Sequence, residues 1–269
     1  MPTRGSGAVE RALLSMLVAG VLAGCTVGPG VGAATGPAVT QPVPESSSAS
    51  TDEPGVAPGV PTASTPRGSP SPSVTAAAGS ALAALGRLPV KGRAPMTGYS
   101  RAEFGPAWAD VDRNGCDTRN DILRRDLRGV VLKPGTHGCR VQSGVLVDPY
   151  TGTTVDFVRG VGTSLAVQID HVVALGDAWQ KGAQSLTLEQ RTAMANDPLD
   201  LLAVTGSVNQ RKGDGDAATW LPPSRSSRCA YVARQVAVKS AYHLWVTAAE
   251  RDAIAHVLAT CPSQPLPTH

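Results

Sequence analysis

The stretch from Val167 to Asp214 limits most strongly what this chain can become. It opens with Val167-Gln168-Ile169-Asp170-His171-Val172-Val173, a β-branched run carrying an acid and a histidine side by side. A second apolar run, Leu199-Asp200-Leu201-Leu202-Ala203-Val204, leads into the polar segment Asn209-Gln210-Arg211-Lys212-Gly213-Asp214. Runs of this kind read as short strands, and the polar segment as the start of a helix. Two strands followed by a helix bring Asp170, His171, Asn209 and Lys212 into one small space. A carboxylate and an amide oxygen suit a hard divalent cation such as Mg²⁺ or Mn²⁺. An imidazole beside that cation can take a proton from water, and a lysine can offset charge growing on phosphate oxygens. These are the parts that phosphodiester hydrolysis requires.

The same residues resemble the HNH (His-Asn-His) endonuclease superfamily, in the branch found at the C-terminal end of GmrSD-type restriction enzymes and in many secreted bacterial proteins. Asp170-His171 matches the first motif and Asn209-x-x-Lys212 the last, while Asp200 stands where the middle asparagine is usual. The resemblance implies an α+β fold: a ββα-metal (HNH) core with an inserted helix. It also implies one Mg²⁺, Mn²⁺ or similar ion on Asp170 and Asn209, and His171 as general base. Lys212 is then either a phosphate contact or plain surface charge, and Asp200 pins the loop between the strands without touching metal. The function implied is an extracytoplasmic, metal-dependent DNA endonuclease. RNA as substrate stays open, because no base-reading element is visible. A non-catalytic binding or structural lipoprotein on the same fold also stays open, because of Asp200. No protein partner is evident.

The segments flanking this stretch place the chain outside the cytoplasm. Residues 1–25 read as a signal peptide: Arg4 and Arg11, then a short apolar core, then Leu22-Ala23-Gly24-Cys25. That ending resembles a lipobox, with Cys25 as the lipidated residue and the membrane as a partner through the anchor. An ordinary secretory peptide with an incidental cysteine is the alternative. Residues 26–86 are rich in Pro, Ser, Thr, Gly and Ala, with few charges and no aromatic residue, and read as a disordered linker. The globular domain is expected over 87–261, with 262–269 as a tail. Setting aside Arg4, Arg11 and Arg67 from 24 basic residues leaves 21, and removing Glu10, Glu45, Asp52 and Glu53 from 21 acids leaves 17. A net charge of +4 permits a polyanionic substrate without demanding one.

Once Cys25 is set aside, Cys116, Cys139, Cys229 and Cys261 remain, an even number that in an exported domain points to disulfides. Tyr231, Val238, Ala241, Tyr242 and Trp245 fall on one face of a helix over Ala230 to Trp245. Thr247 and Glu250 make a capping box for a second helix. A tight helical hairpin places Cys229 beside Cys261, and Cys116–Cys139 follows by elimination. Zinc is the rival use, but there is no Cys-x-x-Cys pair.

Asp110, Asp112 and Asn114 alternate ahead of Gly115, with Asp121 at the twelfth position of what would be a Ca²⁺ loop. A polar turn capped by its own side chains is the other reading. A helix over Thr118 to Leu127 follows, whose Arg119, Arg124, Arg125 and Arg128 either contact phosphate or form a solvated face. Residues Gly144 to Phe157 read as a β-hairpin around Pro149 and Gly152. Trp179 and Asp177 are expected to pack and cap an inserted helical piece. His137, His243, His256 and His269 have no acid or histidine at ligand spacing.

Overall fold

The computed structural model describes residues 77–268. The signal segment, Cys25, the linker through residue 76, and His269 lie outside the described residues.

Helix α1 (Ala81–Leu85) is opened by Ser80, whose side chain accepts from the Ala83 amide. Helix α2 (Thr118–Asp126) is opened in the same way by Asp117. Three antiparallel strands follow as a meander: β1 (Leu127–Leu132), β2 (Val141–Val147) and β3 (Thr154–Val158), in the order β1-β2-β3. Strand β4 (Val167–His171) carries the acid–histidine pair. The chain then makes α3 (Leu175–Gln180) and α4 (Leu188–Ala195), the latter held by the Thr187/Gln190 capping box. It returns as β5 (Leu201–Thr205), antiparallel to β4 with Asp170 opposite Leu202 and His171 opposite Leu201. Helix α5 (Gly206–Lys212) leaves β5 at once. Only glycine allows that turn, since a Cβ on Gly206 would run into the Leu165 carbonyl just before β4. Helices α6 (Arg228–Ala241) and α7 (Ala248–Ala259) close the chain, with the Thr247/Glu250 box opening α7.

Helices and sheets share the core, as an α+β fold requires. Ile122 and Leu123 of α2 pack on Val141, Leu146 and Phe157 of the meander and on Val167, Ile169 and Leu201 of the two-stranded sheet. Val204 and Val208 join Val232, Val236, Ile254 and Leu258 of the helical pair. Trp179, Met194, Val238 and Leu244 fill the space between α3, α4 and α6. The β4–β5–α5 unit is therefore braced on every buried side.

Both disulfides form: Cys116–Cys139 with Cα atoms 5.0 Å apart, and Cys229–Cys261 at 6.5 Å. Closing loops with sequence separations of 23 and 32 residues restricts the unfolded chain by about 3.5 kcal/mol each.

Several expectations need correction. The ordered body begins before residue 87, because Ala81, Ala84 and Leu85 are core residues. The 262–269 segment is also engaged: Pro265 pairs with Ser80, and Leu266 packs against the core. Helix α6 stops at Ala241, because His243 takes a left-handed conformation (φ 53°) and Val246 pairs with Val90. Of the arginines assigned to α2, Arg124 and Arg125 are exposed as a solvated face requires, Arg119 is half-buried, and Arg128 lies exposed on β1 instead. Arg119 donates to the Val167 carbonyl, Arg124 to that of Gly138, and Arg125 to those of Pro198 and Leu201.

Candidate functional site

Strand alternation builds the site. Gln168 and Asp170 point to one face of β4, where α5 lies, and His171 points to the other. On α5, Asn209 and Lys212 are one turn apart and meet them in register: Asn209 Nδ2 donates to Gln168 Oε1 at 3.0 Å, and Lys212 Nζ to Asp170 Oδ1 at 3.0 Å. Lys212 Nζ also donates to the His171 carbonyl at 2.7 Å. Lys212 is 3% exposed, which overturns surface charge as its description and makes it an internal brace between α5 and β4.

Asp170 has a second partner that sequence reasoning missed. Tyr150, in the β2–β3 turn, donates its hydroxyl to Asp170 Oδ2 at 2.5 Å. Asp148 shapes that turn by accepting from the Tyr150 amide and the Thr151 hydroxyl. Trp220 and Tyr231 hold the Tyr150 ring edge-on at 5.1 and 5.5 Å. Burial raises the Asp170 carboxyl above its ordinary value, with Lys212 and Tyr150 acting against the rise.

His171 is fixed differently. Its Nε2 lies 2.9 Å from the Ala195 carbonyl at the end of α4. A carbonyl only accepts, so the proton belongs to Nε2 and Nδ1 keeps a free lone pair. Burial lowers the imidazole to about 4, against the opposing pull of the Ala195 bond, so the ring is neutral at pH 7. Trp108 stacks on it at 6.2 Å and 15°.

Asp200 is fully buried. Its Oδ1 accepts from the Val173 amide at 2.8 Å and its backbone carbonyl from Val172 at 2.8 Å, so it pins the turn leaving His171. Burial pushes this carboxyl well above the usual carboxylate range, and Oδ2 has no hydrogen-bond partner. A neutral carboxyl has the shape of an asparagine amide and accepts the same N–H.

Asp170, His171 and Asn209 line one cavity of about 250 Å³, together with Arg101, Gln168 and Asp214. A smaller one of about 60 Å³ adjoins it across His171, walled by Phe104, Trp108 and Asn196. The donor set fits a hard cation. Asn209 spends its Nδ2 on Gln168, so its amide oxygen remains an available acceptor on the cavity that Asp170 also lines. Among the described residues no three His, Cys, Asp or Glu side chains gather as a metal cluster, so the ion would have few protein ligands.

The C-terminal domain of the GmrSD restriction endonucleases matches residues 117–257. The chain belongs to this family. A relative from Arthroderma benhamiae, described as an uncharacterized secreted protein, is 40% identical over 199 residues, which is 73% of this chain and 92% of its own length. No solved structure matches. Asp170, His171, Asp200, Asn209 and Lys212 all fall inside the span shared with the GmrSD C-terminal domains.

The Asp110–Asn114 loop lies apart from this cavity. Asp110 accepts from the Asn114 and Gly115 amides, Asp112 from Asn114, and Asn114 from the Cys116 amide. Burial raises the Asp121 carboxyl, opposed by a hydrogen bond from Asn114. Asx turns account for the Asp112–Asn114 and Asn114–Cys116 bonds, and Asp110 spends both of its oxygens on the Asn114 and Gly115 amides. The melting temperature is therefore expected to be the same in calcium and in chelator. A rise of several degrees with calcium would establish an ion in the loop.

Proposed function

We propose that this chain is an exported, metal-dependent endonuclease of the HNH type, with β4, β5 and α5 as its ββα-metal core and DNA as its substrate. The observation that carries the proposal is the state of His171: a neutral imidazole with Nε2–H tied to Ala195 and Nδ1 free, on a residue that borders both the Asp170/Asn209 cavity and the smaller one beside it. That arrangement describes a general base.

Asp170 and Asn209 would hold the divalent ion. When bound, such an ion polarises the scissile phosphate and stabilises the leaving oxygen. His171 Nδ1 takes the proton from the attacking water. Ala195 keeps the ring in the orientation and tautomer that leave Nδ1 available. Tyr150 and Lys212 hold the Asp170 carboxylate on its two oxygens, so it does not have to reorganise as charge develops. Asp200 keeps the turn after His171 in place, which supports an active enzyme over a silent nuclease-like scaffold.

Export is supported by the two disulfides and by the description of the Arthroderma benhamiae relative as secreted. Among the described residues no helix is long and apolar enough to cross a membrane. Cys25 is proposed as the lipid anchor.

Incubating the purified mature chain with supercoiled plasmid tests the function. Nicking in Mg²⁺ or Mn²⁺ and none in EDTA is expected. Cleavage of RNA but not plasmid would change the substrate, and cleavage of neither in any divalent ion would reject the function.

A further inference from the structure

Arg101 stands out among the cationic groups around the site. It lines both cavities, on either side of His171. Its charge reaches both Asp170 and His171. Yet, among the described residues, its guanidinium makes no hydrogen bond and no ion pair. Nearby arginines behave otherwise: Arg93 is paired with Asp177 and Asp216, and Arg191 with Glu103. The carboxylates of the cavity do not occupy it. Asp170 has both oxygens on Lys212 and Tyr150, and Asp214 forms no ion pair with it.

The backbone beneath this free side chain is held rigidly. Arg101 opens a single 3-10 turn, Arg101–Phe104. Phe104 is 1% exposed and packs against Tyr99 and Trp179 at 6.5 and 6.3 Å. The Glu103 carbonyl accepts from Arg191 Nε of α4 at 2.6 Å. Gly105 has φ 74° and lies so close to α4 that a Cβ there would collide with Thr192. A fixed turn thus presents a planar fork of donors to the cavity that also carries Asp170, His171 and Asn209.

We propose that Arg101 is a substrate-binding residue that takes a phosphate of the nucleic-acid backbone at this site. The inference rests on the nuclease reading and adds to it a residue outside the 117–257 span matched by the family. The chemistry favours phosphate: a guanidinium fork presents parallel N–H donors that match two phosphate oxygens, and it stays charged at any working pH. The few ligands available for a cation leave the remaining negative charge of a phosphodiester to be met by the protein, and Lys212 is already committed to Asp170.

Arg101→Gln and Arg101→Lys should be made in the mature chain and in the same chain carrying His171→Ala. The side chain is exposed, so both variants should melt with their parents. In the His171→Ala background, binding of a short DNA duplex is measured by fluorescence anisotropy over a range of salt. Arg101→Gln is expected to weaken binding by about 10–100-fold, the loss of a charge-assisted bidentate contact, and to reduce the slope of log affinity against log salt by about one. Arg101→Lys should keep the slope and recover only part of the affinity. In the active chain, Arg101→Gln should raise KM.

Unchanged affinity and slope for Arg101→Gln would overturn the proposal, as would a parent chain that binds no duplex. If the parent binds but cuts nothing in any divalent ion, the nuclease reading fails while the binding series still decides Arg101.

Discussion

Replacing His171 with alanine is expected to lower the rate of DNA cleavage by roughly 10²–10⁴-fold, the usual loss when a positioned general base is removed. KM should stay near the parent value, because the ring is proposed to act on water and not on the substrate. The side chain is buried, bonded to Ala195 and stacked on Trp108, so stability also falls, by about 1–3 kcal/mol. Circular dichroism at the assay temperature separates the two effects. Stability against pH gives a second signature. The unfolded imidazole takes up its proton near 6.5, whereas the folded one does so only near about 4. Between those values the unfolded state binds more protons, so stability falls as the pH drops through the window, by about 3 kcal/mol in all. His171→Ala should lose that part of the acid-side slope. A folded variant that cuts at the parent rate would return His171 to the role of a core histidine.

What could be read from the sequence follows the range of the underlying periodicities. The alternation along Gln168, Ile169, Asp170 and His171 fixes which side chains share a face. The one-turn spacing of Asn209 and Lys212 fixes which pair meets that face; Gln168, Asp170, His171 and Asn209 line one cavity, and Lys212 is buried against Asp170. The capping boxes at Thr187 and Thr247 are local in the same sense. Cys229 and Cys261 sit at the two ends that an antiparallel helix pair must bring together. Tyr150, Arg101 and the Ala195 carbonyl follow no such rule. Tyr150 reaches Asp170 from a hairpin turn in another sheet, and turn chemistry explains only why its backbone bends. Arg101 reaches the cavity because Phe104 and Gly105 seat its turn on α4, a tertiary fact with no repeat behind it. The Ala195 partner is a backbone group, which no side-chain pattern announces. Lys212 looked exposed because a polar helix start normally is, and the Asp170 carboxylate is what draws it inside.

The largest stability effect is expected from a cluster that no local pattern along the chain announces. Asp177, read from sequence as a capping residue, makes no cap bond on α3. It joins a buried network in which Lys181 Nζ meets Asp177 at 2.6 Å, Asp216 at 2.7 Å and Glu250 at 2.6 Å. Lys239 meets Asp177 at 3.1 Å and Glu250 at 2.9 Å, and the half-buried Arg93 reaches Asp177 and Asp216 at 3.1 and 2.5 Å. Three carboxylates balance three cations, so the charges are tolerable only together. Burial alone would pull the Lys239 ammonium down, yet Asp177 and Glu250 outweigh it and leave it raised. The network ties α3, which follows His171, and the segment after Lys212 to α6 and α7, so it fixes the chain on both sides of the site. Glu250→Gln keeps the volume, and it keeps the capping box, which glutamine also satisfies. It leaves one buried positive charge without a counterpart. Breaking a buried pair from one side costs about 3–5 kcal/mol, which for a folded body of this size lowers the melting temperature by roughly 10 °C. Adding Lys239→Met restores neutrality and should recover most of that loss, although Lys239→Met alone destabilises; the coupling from this double-mutant cycle measures the network directly. A Glu250→Gln chain that melts within a degree or two of the parent would show that solvent reaches the cluster and that its charges stabilise little.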